Sequence, residues 1–286
     1  MQRSSVRRND ETIFAATQEF ATFCDAINLQ DNREIMAGKR KKPPESYRER
    51  RYRTIPDPGV QSFQIKVRET DLHILAPVDL REGATNLVVQ YRNQLENYLS
   101  RCPAFVDALA PLPDDPTAVP LVREMLQAGQ AAGVGPMAAV AGVIAEYVGR
   151  GLLKGEGCSE VVVENGGDIF MKRGRESIVA IFAGESPLSY RLGLKIPAGD
   201  MPVGICTSSG TVGHSLSLGR ADSVTVVARS TALADAAATR LGNEVGRGGD
   251  LGPALALAPG IGGLTGVVIV IGEELGAWGR IELVEL

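Results

Sequence analysis

The stretch Ser159-Glu160-Val161-Val162-Val163-Glu164-Asn165-Gly166-Gly167-Asp168-Ile169-Phe170 decides the fold. Three consecutive β-branched valines favour a strand, Asn-Gly-Gly-Asp supplies the residues of a tight reversal, and Ile169-Phe170 resumes an apolar run. The expectation is a strand–turn–strand unit. Its two glycines permit left-handed or unusually close backbone, and Asn165 and Asp168 bring polar groups to the turn. An ordinary hairpin explains these residues, and so does a turn built for a ligand or metal; both readings stay open at this point.

Working outward, Phe63 to Val67 and Leu72 to Ala76 read as a hairpin around Glu69 to Asp71. Leu87, Tyr91, Leu95 and Tyr98 recur at helical spacing within Glu82 to Leu99. Helices are expected at Glu11 to Asn28, at Val119 to Ala131 and, rich in small residues, at Met137 to Leu153. Ser230 to Leu241 is Ala-rich, with Ser230 or Thr231 as its N-cap. Further strands are expected at Tyr47 to Ile55, imperfectly alternating, and at Ser177 to Phe182, Tyr190 to Ile196, Gly204 to Thr207, Asp222 to Ala228, Gly266 to Ile271 and Arg280 to Leu286. Leu251 to Gly272 is too broken by Pro and Gly for a membrane span and reads as turns around a buried strand. Many strands and hairpins beside helices, without regular strand–helix repeats, favour an α+β fold over a doubly wound sheet.

The 286 residues are 44% hydrophobic, enough for a sizeable core, and only two His and four scattered Cys give no basis for a zinc site or a disulfide framework. Charge divides the chain. Residues 1–56 hold 12 basic against 8 acidic side chains, whereas the whole chain is at −4, so the body is acidic. That balance argues against nucleic acid as a partner, and the runs Lys39 to Lys42 and Arg48 to Arg53 read as a solvated basic segment. Residues 1–42 are therefore expected to be a peripheral arm and residues 43–286 the folded domain, with a Pro-rich internal connection at 109–120. Met1 to Thr17 lacks the apolar core of an export signal, so the expected setting is cytoplasmic, with no membrane as partner.

Two other segments offer chemistry. Thr207-Ser208-Ser209-Gly210, continuing to His214, concentrates hydroxyls and one of the two histidines; without a nucleophile elbow a Ser–His hydrolase rests on those groups alone, and a backbone-and-hydroxyl anion cradle fits as well. Asp235 and Thr239, four apart on one helix face, could present a carboxylate and a hydroxyl to Mg²⁺, or simply face solvent. No P-loop and no dinucleotide fingerprint is present.

Taken in order, Gly142 to Glu146, Asn165-Gly166-Gly167-Asp168-Ile169, Thr207 to Gly210, His214, Ser223 to Ala228 and Ala234 to Thr239 resemble the ApbE-like, FAD:protein FMN transferase superfamily. The resemblance runs from about Met137 to Gly242 and looks most like a divergent cytoplasmic branch. It implies a tunnelling-fold-like body of duplicated β-α-β-β units and a cleft for a flavin or related nucleotide, FAD or FMN. In that cleft Glu146, Asn165, Gly166, Gly167, Asp168, Thr207, Ser208, Ser209, Gly210 and His214 would contact cofactor, and Asp235 and Thr239 would hold Mg²⁺. The implied reaction transfers FMN from FAD to a Ser or Thr of a protein substrate and releases AMP; a homo-oligomer is compatible with it. The chain departs from the transferases in three places. Ala141 precedes Gly142 where a Lys is usual, Glu146 stands where an Asp is usual, and the loop after His214 lacks the Asp-Pro and Thr-Gly elements. Two alternatives follow: a binding or assembly protein without transferase activity, and a hydrolase or phosphotransferase acting on a small metabolite.

Overall fold

The computed structural model describes residues 59–210, 219–245 and 249–286. The arm at 1–42, the helix expected at Glu11 to Asn28, the Tyr47 to Ile55 stretch and His214 lie outside the described residues.

The first hairpin forms where its pattern predicts: β1 (Gln61–Val67) pairs antiparallel with β2 (Thr70–Ala76), and Arg68 takes a positive φ in the turn. Next come α1 (Arg81–Arg101), α2 (Ala104–Asp107), α3 (Pro120–Ala132) and α4 (Val140–Leu152), the last entered through a 3₁₀ turn at Pro136–Ala139. The Pro-rich link before α3 is tied down by the buried Asp115. Its carboxylate accepts from the Tyr98 hydroxyl on α1 at 3.1 Å and from the Thr117 N–H and hydroxyl at 2.9 and 2.6 Å.

β3 (Val161–Asn165) and β4 (Asp168–Lys172) form the deciding hairpin, followed by β5 (Ser177–Ala180), β6 (Leu192–Ile196), β7 (Val203–Ser208) and β8 (Ser223–Ala228). Then α5 (Thr231–Glu244) begins at Ser230, whose hydroxyl accepts from the Leu233 N–H at 3.2 Å, and α6 (Gly252–Leu257), β9 (Leu264–Ile271), β10 (Glu274–Gly279) and β11 (Leu283–Glu285) complete the chain.

Among the described residues these strands make an eight-stranded sheet in the order β1-β2-β3-β4-β7-β8-β9-β10 and a three-stranded sheet β11-β6-β5, with every pairing antiparallel. The helices cover one face of the large sheet and the small sheet packs on the other. Strand alternation explains this sandwich: Val161, Val163, Phe170, Cys206 and Val226 point into the helical core, while Val162, Met171, Ile205 and Val227 point toward the small sheet. The unbroken valine run of β3 is buried on both sides, which is why it does not alternate with polar residues. The mixed architecture agrees with the expected α+β class.

Three departures have local causes. Leu251 to Gly272 contains the short helix α6 besides its strand, because Pro253 sits in the first turn, where its missing N–H costs nothing. The sequence pattern does not predict β10: it is an edge strand with two glycines and a largely exposed surface, and its pairing to β9 comes from tertiary contact. Cys102 is disulfide-bonded, contrary to the reading of the scattered cysteines, since sequence separation does not report spatial approach. Cys158 and Cys206 are free and buried. Among the described residues no single helix is long and apolar enough to cross a membrane.

Candidate functional site

The β3–β4 turn, the end of β7 and the first turns of α4 and α5 converge at one place. Gly166 and Gly167 both take positive φ, 72° and 118°, which closes the reversal between Asn165 and Asp168. The Gly167 N–H donates to the Glu164 carboxylate at 2.9 Å. In register, Asp168 pairs with Asn165 on one side and with Cys206 on the other, so all three share the face that meets the helices.

The two helices approach closely because α4 presents Gly142. A Cβ there would lie 2.5 Å from the Thr231 carbonyl oxygen and 2.9 Å from the Asp235 Cβ. Each helix then caps the other. Asp235 on α5 accepts from the Gly142 N–H of α4 at 2.9 Å, and Glu146 on α4 accepts from the Thr231 N–H of α5 at 2.7 Å. Both carboxylates thus satisfy orphan donors of a helix N-terminus, where the helix dipole also favours negative charge. The Asn165 side-chain amide adds a bond to the Ala141 carbonyl at 3.0 Å, fixing the turn to α4.

The electrostatics separate these acids. Glu146 is completely buried and ion-paired with Arg150 one turn along. Asp235 is only half-buried; burial pushes its carboxyl up to about 7 against the opposing effect of the Gly142 and Ala141 N–H groups. Burial and then the charge of Asp235 hold Asp168 well above the usual carboxylate range, while the Cys206 thiol donates to the Thr231 carbonyl at 3.4 Å. The Cys206 thiol is itself pushed well up, by burial and then by the two aspartates. Two carboxylates thus crowd one partly dry corner. The corner is rich in carboxyl oxygen, which on ionising suits a hard divalent cation and polar groups of a ligand.

The expected residues fall into groups. Asn165, Gly166, Gly167, Asp168 and Asp235 come together, with Thr239 one turn beyond Asp235 and half-buried. Ser208 is buried on the same sheet face as Cys206, whereas the Thr207 side chain points the other way and its hydroxyl bonds to that of Thr225 at 2.9 Å. Ser209 follows the strand, and the Gly210 N–H donates to the Ala221 carbonyl at 3.0 Å. Glu146 is engaged by the Thr231 N–H and by the Arg150 ion pair. Sequence reasoning included Glu164 in the turn's stretch but missed Cys206; β7 alternation would have put Cys206 on the face of Ser208, but only the β4–β7 register places it beside Asp168. Among the described residues no three His, Cys, Asp or Glu side chains form a metal cluster, so a metal here would draw on Asp235, hydroxyl or carbonyl oxygen, water and ligand.

The fold has solved counterparts. The flavin transferase ApbE from Vibrio cholerae matches at a TM-score of 0.50 and 13% identity, covering 77% of this chain and 97% of that one, and a histidine-to-glycine mutant of the same transferase matches at 0.51 and 13%. These define an ApbE-type fold. A family model described as "AbpE bacteria" matches residues 53–259, and the chain belongs to that family. Sequence relatives bear the name UPF0280 protein: one from Methanococcus aeolicus is 39% identical over 76% of this chain and 90% of its own length, and one from Methanococcus maripaludis strain C6 is 44% identical over 77% and 91%.

Proposed function

We propose that the chain binds a flavin nucleotide, FAD or FMN, against the Asn165–Asp168 turn and the Thr207–Gly210 segment, with His214 contributing and Mg²⁺ held by Asp235 and Thr239. The supporting observation is the juxtaposition of Asp168 and Asp235, two partly desolvated carboxylates in mutual repulsion that a divalent cation would relieve. The donor set suits Mg²⁺, which keeps several waters and shares its remaining positions between one or two carboxylates and ligand phosphates. When bound, the ion would neutralise phosphate charge and polarise the bridging oxygen of a pyrophosphate. The chain's own residues do the positioning. Asp235 stays oriented by the Gly142 N–H, the glycines of the turn allow ligand close to backbone, and Asn165 holds the turn to α4. On this reading the activity is transfer of FMN to a protein Ser or Thr with release of AMP. The two four-stranded halves of the large sheet would then be the duplicated units of a tunnelling-fold-like body.

A second reading, a nucleotide-binding or assembly protein without transferase activity, is favoured by Glu146. The acid that stands where the transferases carry an Asp is used up inside the protein by Thr231 and Arg150. Calorimetric titration of the full chain with FAD, FMN and AMP, with and without Mg²⁺, tests the binding shared by both readings. Absence of binding by all three at near-millimolar ligand sinks the flavin assignment. If FAD binds, incubation with FAD and Ser/Thr peptides separates the two: released AMP and a flavinylated peptide support transfer, and neither product supports binding alone.

A further inference from the structure

A second concavity lies between the two sheets, at the other end of β7. It has a volume of about 440 Å³, within the size range of small-molecule sites. Its floor is apolar and belongs to the inter-sheet core: Ile196, Val203 and Val227 are each at most 5% exposed. Val203 and Val227 point toward the small sheet, away from the helical face that carries Asp168 and Cys206. The concavity is therefore separate from the site described above in both position along the strand and face of the sheet.

Its rim is charged, and its cations are not equally paired. Lys195 is paired with Glu282 at 2.9 Å and with Glu176 at 3.4 Å, and Arg280 with Asp200 at 3.1 Å. The third cation, Arg229, has no ion pair or hydrogen bond among the described residues. Lys195 and Arg280 are thus compensated by carboxylates, and the cation left for a ligand is a guanidinium whose fork geometry suits oxyanions. A cation beside low-dielectric walls attracts an anion more strongly than one on an open surface.

We propose that this concavity binds a small amphipathic oxyanion, its acidic group on Arg229 and its apolar body over Val203 and Val227. Neither component suffices alone: a bare inorganic anion leaves the floor wet, and a neutral hydrocarbon leaves Arg229 without a counter-charge. The fluorescent sulfonate 8-anilinonaphthalene-1-sulfonate, titrated into the full native chain, is a direct probe because its emission rises when its rings leave water. Saturable binding is expected, weakened at least tenfold by Arg229→Gln and largely restored by Arg229→Lys, with melting temperatures unchanged because the side chain is exposed. Benzoate should displace the probe, whereas inorganic phosphate at equal concentration and saturating FAD with Mg²⁺ should not. Absence of saturable binding, equal binding by Arg229→Gln, or displacement by phosphate or FAD would each overturn the proposal.

Discussion

Glu146 and Asp235 do the same geometric job in opposite directions: each sits on one of two crossing helices and accepts a backbone N–H at the start of the other. Their surroundings differ. Glu146 has no exposed surface and carries its own counter-ion in Arg150, so its charge is compensated within the fold. Asp235 is half-buried and faces a second raised carboxylate, Asp168. The comparison teaches that capping alone does not distinguish a structural acid from one available to a ligand; the local charge balance does.

This difference can be broken experimentally. Glu146→Ala should have the largest effect, a destabilisation of about 2–3 kcal/mol in chemical denaturation, because the Thr231 N–H loses its partner in a dry site. Gly142→Ala should cost about 1–3 kcal/mol in the same assay, since the added methyl must push the Thr231 carbonyl away. Asp235→Ala is expected to weaken Mg²⁺-dependent nucleotide binding at least tenfold by calorimetry while leaving helical circular dichroism intact; unchanged affinity would remove Asp235 from the proposed site. Ser230→Ala should cost about 1 kcal/mol through loss of the N-cap of α5, read as a lower denaturation midpoint. Thr239→Val should have the smallest effect, a few-fold in Mg²⁺-dependent affinity, because it removes a neutral oxygen ligand rather than a charge.

Local chemistry makes part of this legible. The Asn165–Asp168 turn, the helical phase of Leu87 to Tyr98 and the Ser230 cap each depend on neighbours within a few residues, and each is readable without a structure. Asp235 and Thr239 stand out because helical spacing puts them on one face. The partner of Glu146 is hidden because Thr231 lies 85 residues further on. Cys206 is hidden for a similar reason: alternation assigns it a side of β7, but only pairing with β4 brings it to Asp168. β10 carries little signal because a glycine-containing edge strand owes its conformation to the strand beside it.

The large sheet follows chain order in two runs of four strands, β1 to β4 and β7 to β10, joined only where β4 meets β7. Asn165, Asp168 and Gly142 come from the first run and its helices; Cys206 and Asp235 come from the second. Neither half owns the site. Two fragments divided between β6 and β7 would each keep their own hairpins yet hold only one of the two aspartates, so the paired carboxylates exist only once the seam has closed and make the site a marker of complete assembly.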